Sequence, residues 1–168
     1  LDEIDHAMAD PTWARRTIDE RQAHFDHLQT LEPPFIFNGE CPPVDSWPRR
    51  GANTVEVLGV GGTLHGMPGS SGVYRGTARV VLDPGDPTAL DPGDVLIAPH
   101  TDPAWTPLFV TAGAVVVDVG ATLSHAIIVS RELGLPCVVS AIDATRMIPD
   151  GALVEVNGDT GLVTVLAI

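Results

Sequence analysis

The stretch that most narrows the fold runs from Ala114 to Pro136. Ala114-Val115-Val116-Val117-Asp118-Val119 is a β-branched apolar run of strand length, ended by Gly120. Ala126 to Leu133 is helix-compatible, and Gly134 followed by Pro136 is a strong stop signal. A strand feeding a short helix through a tight turn is therefore predicted, with Thr122, Ser124 and His125 at the junction. His125 falls in or beside the first helical turn, where backbone N–H groups lack intrahelical partners. The positive end of the helix dipole points there too, so an anion on the imidazole would be favoured. With a reference pKa of about 6.5, a histidine keeps one ring nitrogen unprotonated and nucleophilic near neutrality. Ser124 and Thr122 could donate hydroxyl hydrogen bonds to such an anion, or cap the helix.

Gly120-Ala121-Thr122-Leu123-Ser124-His125 and then Ser130-Arg131-Glu132-Leu133-Gly134-Leu135-Pro136 follow the pattern G-G-x-x-S-H-x-x-x-x-A-R-x-x-x-x-P. The chain thus resembles the swivelling phosphohistidine domain of the phosphoenolpyruvate-utilising enzymes, above all those of the phosphoenolpyruvate synthase and rifampicin phosphotransferase type. Ser70-Ser71-Gly72 through Arg79-Val80-Val81 is similar to that domain's opening S-P-G-x-x-x-G-x-A-R-V-V. The ending resembles its D-G-x-x-V-x-V-x-G-x-x-G-x-V-x-V, so the resemblance reaches from residue 54 to residue 166.

That resemblance implies an α/β chain, a β/β/α swivelling domain preceded by a helical segment and a proline-rich linker. It implies His125 as phosphoryl carrier, with Ser124, Thr122 and Thr101 stabilising the phosphoryl group and no cofactor held by this domain. ATP and Mg are expected on a partner domain of the ATP-grasp type, with an acceptor-binding domain on the same chain or a separate subunit. The expected acceptor is pyruvate or a small-molecule hydroxyl, so the chain is a carrier module rather than a complete enzyme. Four residues depart from the pattern: Ser71 replaces a proline, Ala121 the second glycine, Leu123 a threonine and Ser140 a glycine. If the turn needs positive φ at Ala121, strain is expected there.

Charge excludes other functions. The formal net charge is -13, against the clustered Lys and Arg that a nucleic-acid backbone requires. All nine basic residues are arginines, which removes any Walker-A or Schiff-base lysine from this chain. With 44% hydrophobic residues the chain can bury a core. No apolar run approaches membrane-spanning length, and the acidic opening residues do not form a signal peptide. Cys41 and Cys137 lack metal-ligand spacing; a disulfide between them is unsupported, and a reducing, cytoplasmic compartment is the simpler reading. The chain opens on Leu1 rather than Met, as a piece of something longer would.

Three segments are expected. Residues 1–31 read as helical, with Asp10-Pro11 as N-cap and N1 and an apolar stripe of Trp13, Ile18, Phe25 and Leu28. Residues 32–53 are a proline-rich linker with interleaved Phe35, Phe37 and Trp47, extended along a surface. Residues 54–168 are the swivelling domain. Within it, Thr54–Val60 and Gly72–Leu82 have strand character, and the glycine-dense stretch 59–69 between them reads as a loop. Turns follow at Asp83-Pro84-Gly85-Asp86-Pro87 and Asp91-Pro92-Gly93-Asp94. Val95–Ala98 is a buried strand, Cys137–Val139 another, and residues 153–166 a hairpin. Thr101 and Asp102 either cap the next helix or present a hydroxyl and a carboxylate to the site; capping is the plainer reading.

Two other readings compete. A binding or scaffold domain of the same fold would use the aromatic residues Phe35, Phe37 and Trp47 for protein contacts. A metal-binding regulator would use His24 and His27, which lack an evident third ligand and read more simply as a solvated helical face. His6, His65 and His100 have no motif around them, and Arg131 and Glu132 read as surface or fold-stabilising residues.

Overall fold

A computed structural model describes residues 2–34, 39–52, 54–85 and 89–168. It divides into two units, Leu1–Thr54 and Val55–Ile168. Phe35 and Phe37 of the proline-rich segment, and Asp86-Pro87 of the first turn, lie outside the described residues.

In the first unit, α1 (Asp2–Ala9) and α2 (Pro11–Gln29) are separated by Asp10. The Asp10 carboxylate accepts from the Thr12 and Trp13 amides at 3.0 and 3.1 Å, so it caps α2 as the Asp-Pro pair predicts. Trp13 stacks on His6 with ring centroids 4.1 Å apart. The expected apolar stripe is covered only in part within the unit: Trp13 and Leu28 are half-buried, no described residue of α2 is fully buried, and Ile18 and Phe25 are 64% and 56% exposed. The proline-rich segment is not simply extended. It folds back on the end of α2, with Leu31 bridging Arg49, the Glu32 amide donating to Pro48 O and the Arg50 amide to Thr30 O. Half-buried Trp47 spends its indole N–H on Pro42 O at 3.0 Å.

The second unit is built on β1 (Thr63–His65), β2 (Met67–Ser70), β3 (Val73–Val80), β4 (Val95–Ala98), α3 (Thr106–Thr111), β5 (Ala114–Val117), α4 (His125–Leu133), β6 (Cys137–Val139), α5 (Ala144–Met147), β7 (Leu153–Asn157) and β8 (Leu162–Ala167). Its eight strands follow the order β1-β8-β7-β3-β4-β5-β6-β2. Strand β3 joins two halves: residues 73–77 pair antiparallel with β7, and residues 78–80 pair parallel with β4. β1 and β2, at opposite ends of that order, are separated in sequence by Gly66 alone, so the sheet bends back toward itself.

The valine-rich strands explain the layering. Successive strand residues face opposite sides. Val95, Ile97, Ala114, Val116 and Val138 pack against Val154, Val156, Val163 and Val165 of the β7–β8 hairpin. Leu96, Ala98, Val115, Val117, Cys137 and Val139 pack against Trp105, Leu108 and Phe109 and against Ala126 and Ile127 of α4. The result is a mixed α/β fold of sheet, sheet and helices, the β/β/α arrangement. Arg79 ties two turns to it: its Nε lies 3.1 Å from Asp94, with Asp91 of the same turn at 3.8 Å and Asp150 of the turn before β7 at 3.9 Å.

The sequence expectation differs from the fold at residues 54–70. Thr54–Val60 forms no strand; Leu58 meets the core, its amide donating to Met147 O. The glycine-dense stretch instead supplies β1 and β2, because β8 and β6 offer open edges there. Among the described residues no helix is long and apolar enough to cross a membrane. Cys41 is an exposed free thiol and Cys137 a buried one.

Candidate functional site

β4 and β5 run parallel, so the loops leaving their C-terminal ends lie side by side. The Val119 amide donates to Pro99 O at 3.0 Å, which joins the two loops. One loop leads through Thr101 and Asp102 into α3; the other leads through Gly120–Ser124 into α4. Gly134 closes α4 at φ 70°, with the Leu135 amide returning to Ser130 O at 2.8 Å, the left-handed stop that Gly134-Leu135-Pro136 predicts.

His125 is the first residue of α4 and is half-buried. Its Nδ1 stands 3.1 Å from Thr101 Oγ1. Its Nε2 stands 3.4 Å from Thr106 Oγ1, outside the usual range of a hydrogen bond, while that hydroxyl donates to Pro103 O at 2.9 Å. The buried ring of Phe109 meets the imidazole edge-on, centroids 5.6 Å apart at 87°. The ring is thus packed against Phe109, and each nitrogen has a hydroxyl neighbour.

The predicted site residues divide. Thr101 reaches the histidine. Asp102 caps instead, accepting from the Ala104 amide at 2.8 Å, so the two alternatives are split between neighbouring side chains. Ser124 occupies the N-cap position, yet its side chain makes no capping bond; its Oγ is buried without a partner, directly beside His125. Thr122 is exposed in the turn and bonds neither ring nitrogen. Arg131 is structural: its Nε donates to Gly69 O at 2.9 Å. Thr106 and Phe109 are the residues that sequence reasoning missed. Both lie just beyond Thr101 and Asp102, but nothing local marks which side chains there turn inward.

Ala121 carries no positive φ; among described non-glycine residues only Ser140 at 51° and Asp143 at 61° do. The strain expected at Ala121 sits across the turn at Ser140, whose hydroxyl donates to Gly120 O. Gly120 has to be glycine for space: a Cβ there would lie 2.8 Å from Val139 Cβ. Nearby, the Asp118 carboxylate accepts from the Thr145 amide at 2.9 Å and from its hydroxyl. Burial raises the Asp118 carboxyl above its ordinary value, and the Thr145 bonds only partly offset this. His24 and His27 gain no third ligand: among the described residues no group of three His, Cys, Asp or Glu side chains could hold a metal ion.

Fold and site together define a three-layer α/β domain that presents one histidine at a helix N-terminus between two threonine hydroxyls. Residues 90–161 match the family described as PEP-utilising enzyme, mobile domain. That stretch holds Thr101, Thr106 and His125. It is 46% identical to a rifampicin phosphotransferase of Bacillus cereus over 90% of its length, which is 17% of that protein. It is 40% identical to an uncharacterised protein of Mycobacterium tuberculosis over 99% of its length, which is 18% of that protein. A solution structure of Enzyme I shares 32% identity over 48% of the chain and 33% of that structure, with a TM-score of 0.43. The chain thus spans less than a fifth of the two longer relatives.

Proposed function

We propose that this domain carries a phosphoryl group on His125 between the active sites of a larger phosphotransferase. The observation behind this reading is the placement of His125 as first residue of α4 with Thr101 at Nδ1, 3.1 Å away. With its proton on Nδ1 and donated to Thr101 Oγ1, the ring keeps its lone pair on the loosely held Nε2. Nε2 then attacks the donor phosphorus; the N–P bond forms as the bridging P–O bond breaks and its electrons leave with the donor's oxygen. In the second half an acceptor oxygen, its proton passing to a base on the acceptor domain, attacks phosphorus; the N–P bond breaks and the pair returns to Nε2. Free amides of the first turn of α4 face the transferred charge, an effect of up to about 2 kcal/mol in a partly buried setting. The Thr106 hydroxyl can turn from Pro103 O to a phosphoryl oxygen, and Ser124 Oγ has its donor unused.

Transfer of this kind rests on positioning and charge stabilisation. ATP with Mg belongs, in this reading, on a partner domain of ATP-grasp type, and pyruvate or a small-molecule hydroxyl on an acceptor domain. Relatives named rifampicin phosphotransferase support a small-molecule acceptor. The test is to incubate the full-length protein with γ-labelled ATP or with labelled phosphoenolpyruvate, and to map acid-labile label. Label on His125 from ATP is expected. Label from phosphoenolpyruvate alone would reassign the donor, and label from neither would overturn the reading.

A further inference from the structure

We infer that Ser140 is a positioning residue for His125, acting through the backbone of the turn that delivers it; this rests on the carrier reading of His125. Ser140 follows β6 and holds φ 51°, a left-handed conformation that a non-glycine residue adopts only against a steric cost. Glycine would occupy that position freely, so the side chain needs a reason to be there. Its hydroxyl provides one by donating to Gly120 O, the carbonyl at which β5 gives way to the turn.

From Gly120 the path to the histidine is short. The Ser124 amide donates to Ala121 O at 2.8 Å, closing the turn, and the Ile128 amide donates to Ser124 O at 3.1 Å, opening the helix. Gly120 cannot slide toward β6, since its α-carbon already lies against the Val139 side chain, and a Cβ would also meet Ser124 Oγ at 3.2 Å. The Ala141 amide donates to Val117 O at 3.1 Å, so β5 and β6 are joined on the other side of the same point. The Gly120 peptide is held from below by packing and from the side by the Ser140 hydroxyl. Its orientation sets where α4 begins, and with it the distance from His125 Nδ1 to Thr101 Oγ1.

Two variants separate this from a role in stability alone. Ser140→Gly removes the hydroxyl and relieves the φ cost; Ser140→Ala removes the hydroxyl and keeps the cost. Thermal midpoints should therefore differ, with glycine the higher. Both variants should nevertheless slow phosphorylation of His125 by phosphoramidate about fivefold, the effect of one ordinary hydrogen bond. Nitrogen-15 spectra of the imidazole should show both variants leaving the single tautomer of the parent chain for a mixture. Rates and ring signals that follow the thermal midpoints, or that match the parent in Ser140→Gly, overturn the proposal. The ring signals are read before any phosphorylation, so a His125 that takes no phosphoryl group in the parent refutes the carrier reading separately.

Discussion

His125 Nδ1 and Thr101 Oγ1 stand 3.1 Å apart, joining the loop that leaves β4 to the first residue of α4. The contact spans twenty-four positions of sequence and assigns a hydroxyl to one ring nitrogen, leaving the other facing Thr106 at 3.4 Å. Thr101→Val keeps the shape and removes the hydroxyl. Phosphorylation of His125 by phosphoramidate should then slow roughly fivefold, from loss of about 1 kcal/mol of orientation. Thr101→Ser should hold close to the parent rate. Initial rates by intact mass measure both; an unchanged valine variant would remove Thr101 from the account.

Asp118 sets a pH dependence of stability. Its carboxyl is raised above 3.8, chiefly by burial, so between 3.8 and the raised value the native state binds more protons than the unfolded chain. The contribution of Asp118 is then fully present below that window and is lost as pH rises through the native value. Asp118→Asn cannot titrate. Parent stability minus variant stability, from urea unfolding at a series of pH values, should fall with rising pH from about 4 and then level off. A difference that rises with pH would contradict the assignment.

The two thiols should behave oppositely. Burial pushes the Cys137 thiol up to about 11, with the Ser130 hydroxyl and Arg131 opposing weakly, while Cys41 is exposed. At pH 8 an aromatic disulfide reagent should modify Cys41 promptly and Cys137 only after denaturation. Prompt modification of two thiols in the native protein would place Cys137 elsewhere.

What could be read from the sequence was local. The Val95–Ala98 and Ala114–Val117 strands are β-branched or aliphatic runs bounded by turn residues, and Gly134 ends α4 where the Gly-x-Pro signal lies. The hairpin of β7 and β8 was legible for the same reason: Asn157 Oδ1 accepts from the Asp159 and Thr160 amides at 3.1 and 3.0 Å, which is turn chemistry. Thr54–Val60 has better strand residues than Met67–Ser70, yet only the second pairs, because tertiary edges decide. The site divides in the same way. His125 is announced by its flanking motif, whereas Thr106 meets it from nineteen positions away and Ser140 acts through a carbonyl twenty positions distant. No period or turn signal encodes such contacts.

The most direct measurement is chemical phosphorylation of the chain with phosphoramidate, followed by intact mass and peptide mapping at neutral to alkaline pH. The account predicts one acid-labile phosphoryl group on His125, in preference to His6, His24, His27, His65 and His100, and its loss in His125→Ala. A parent chain in which exposed histidines react while His125 stays unmodified would contradict it.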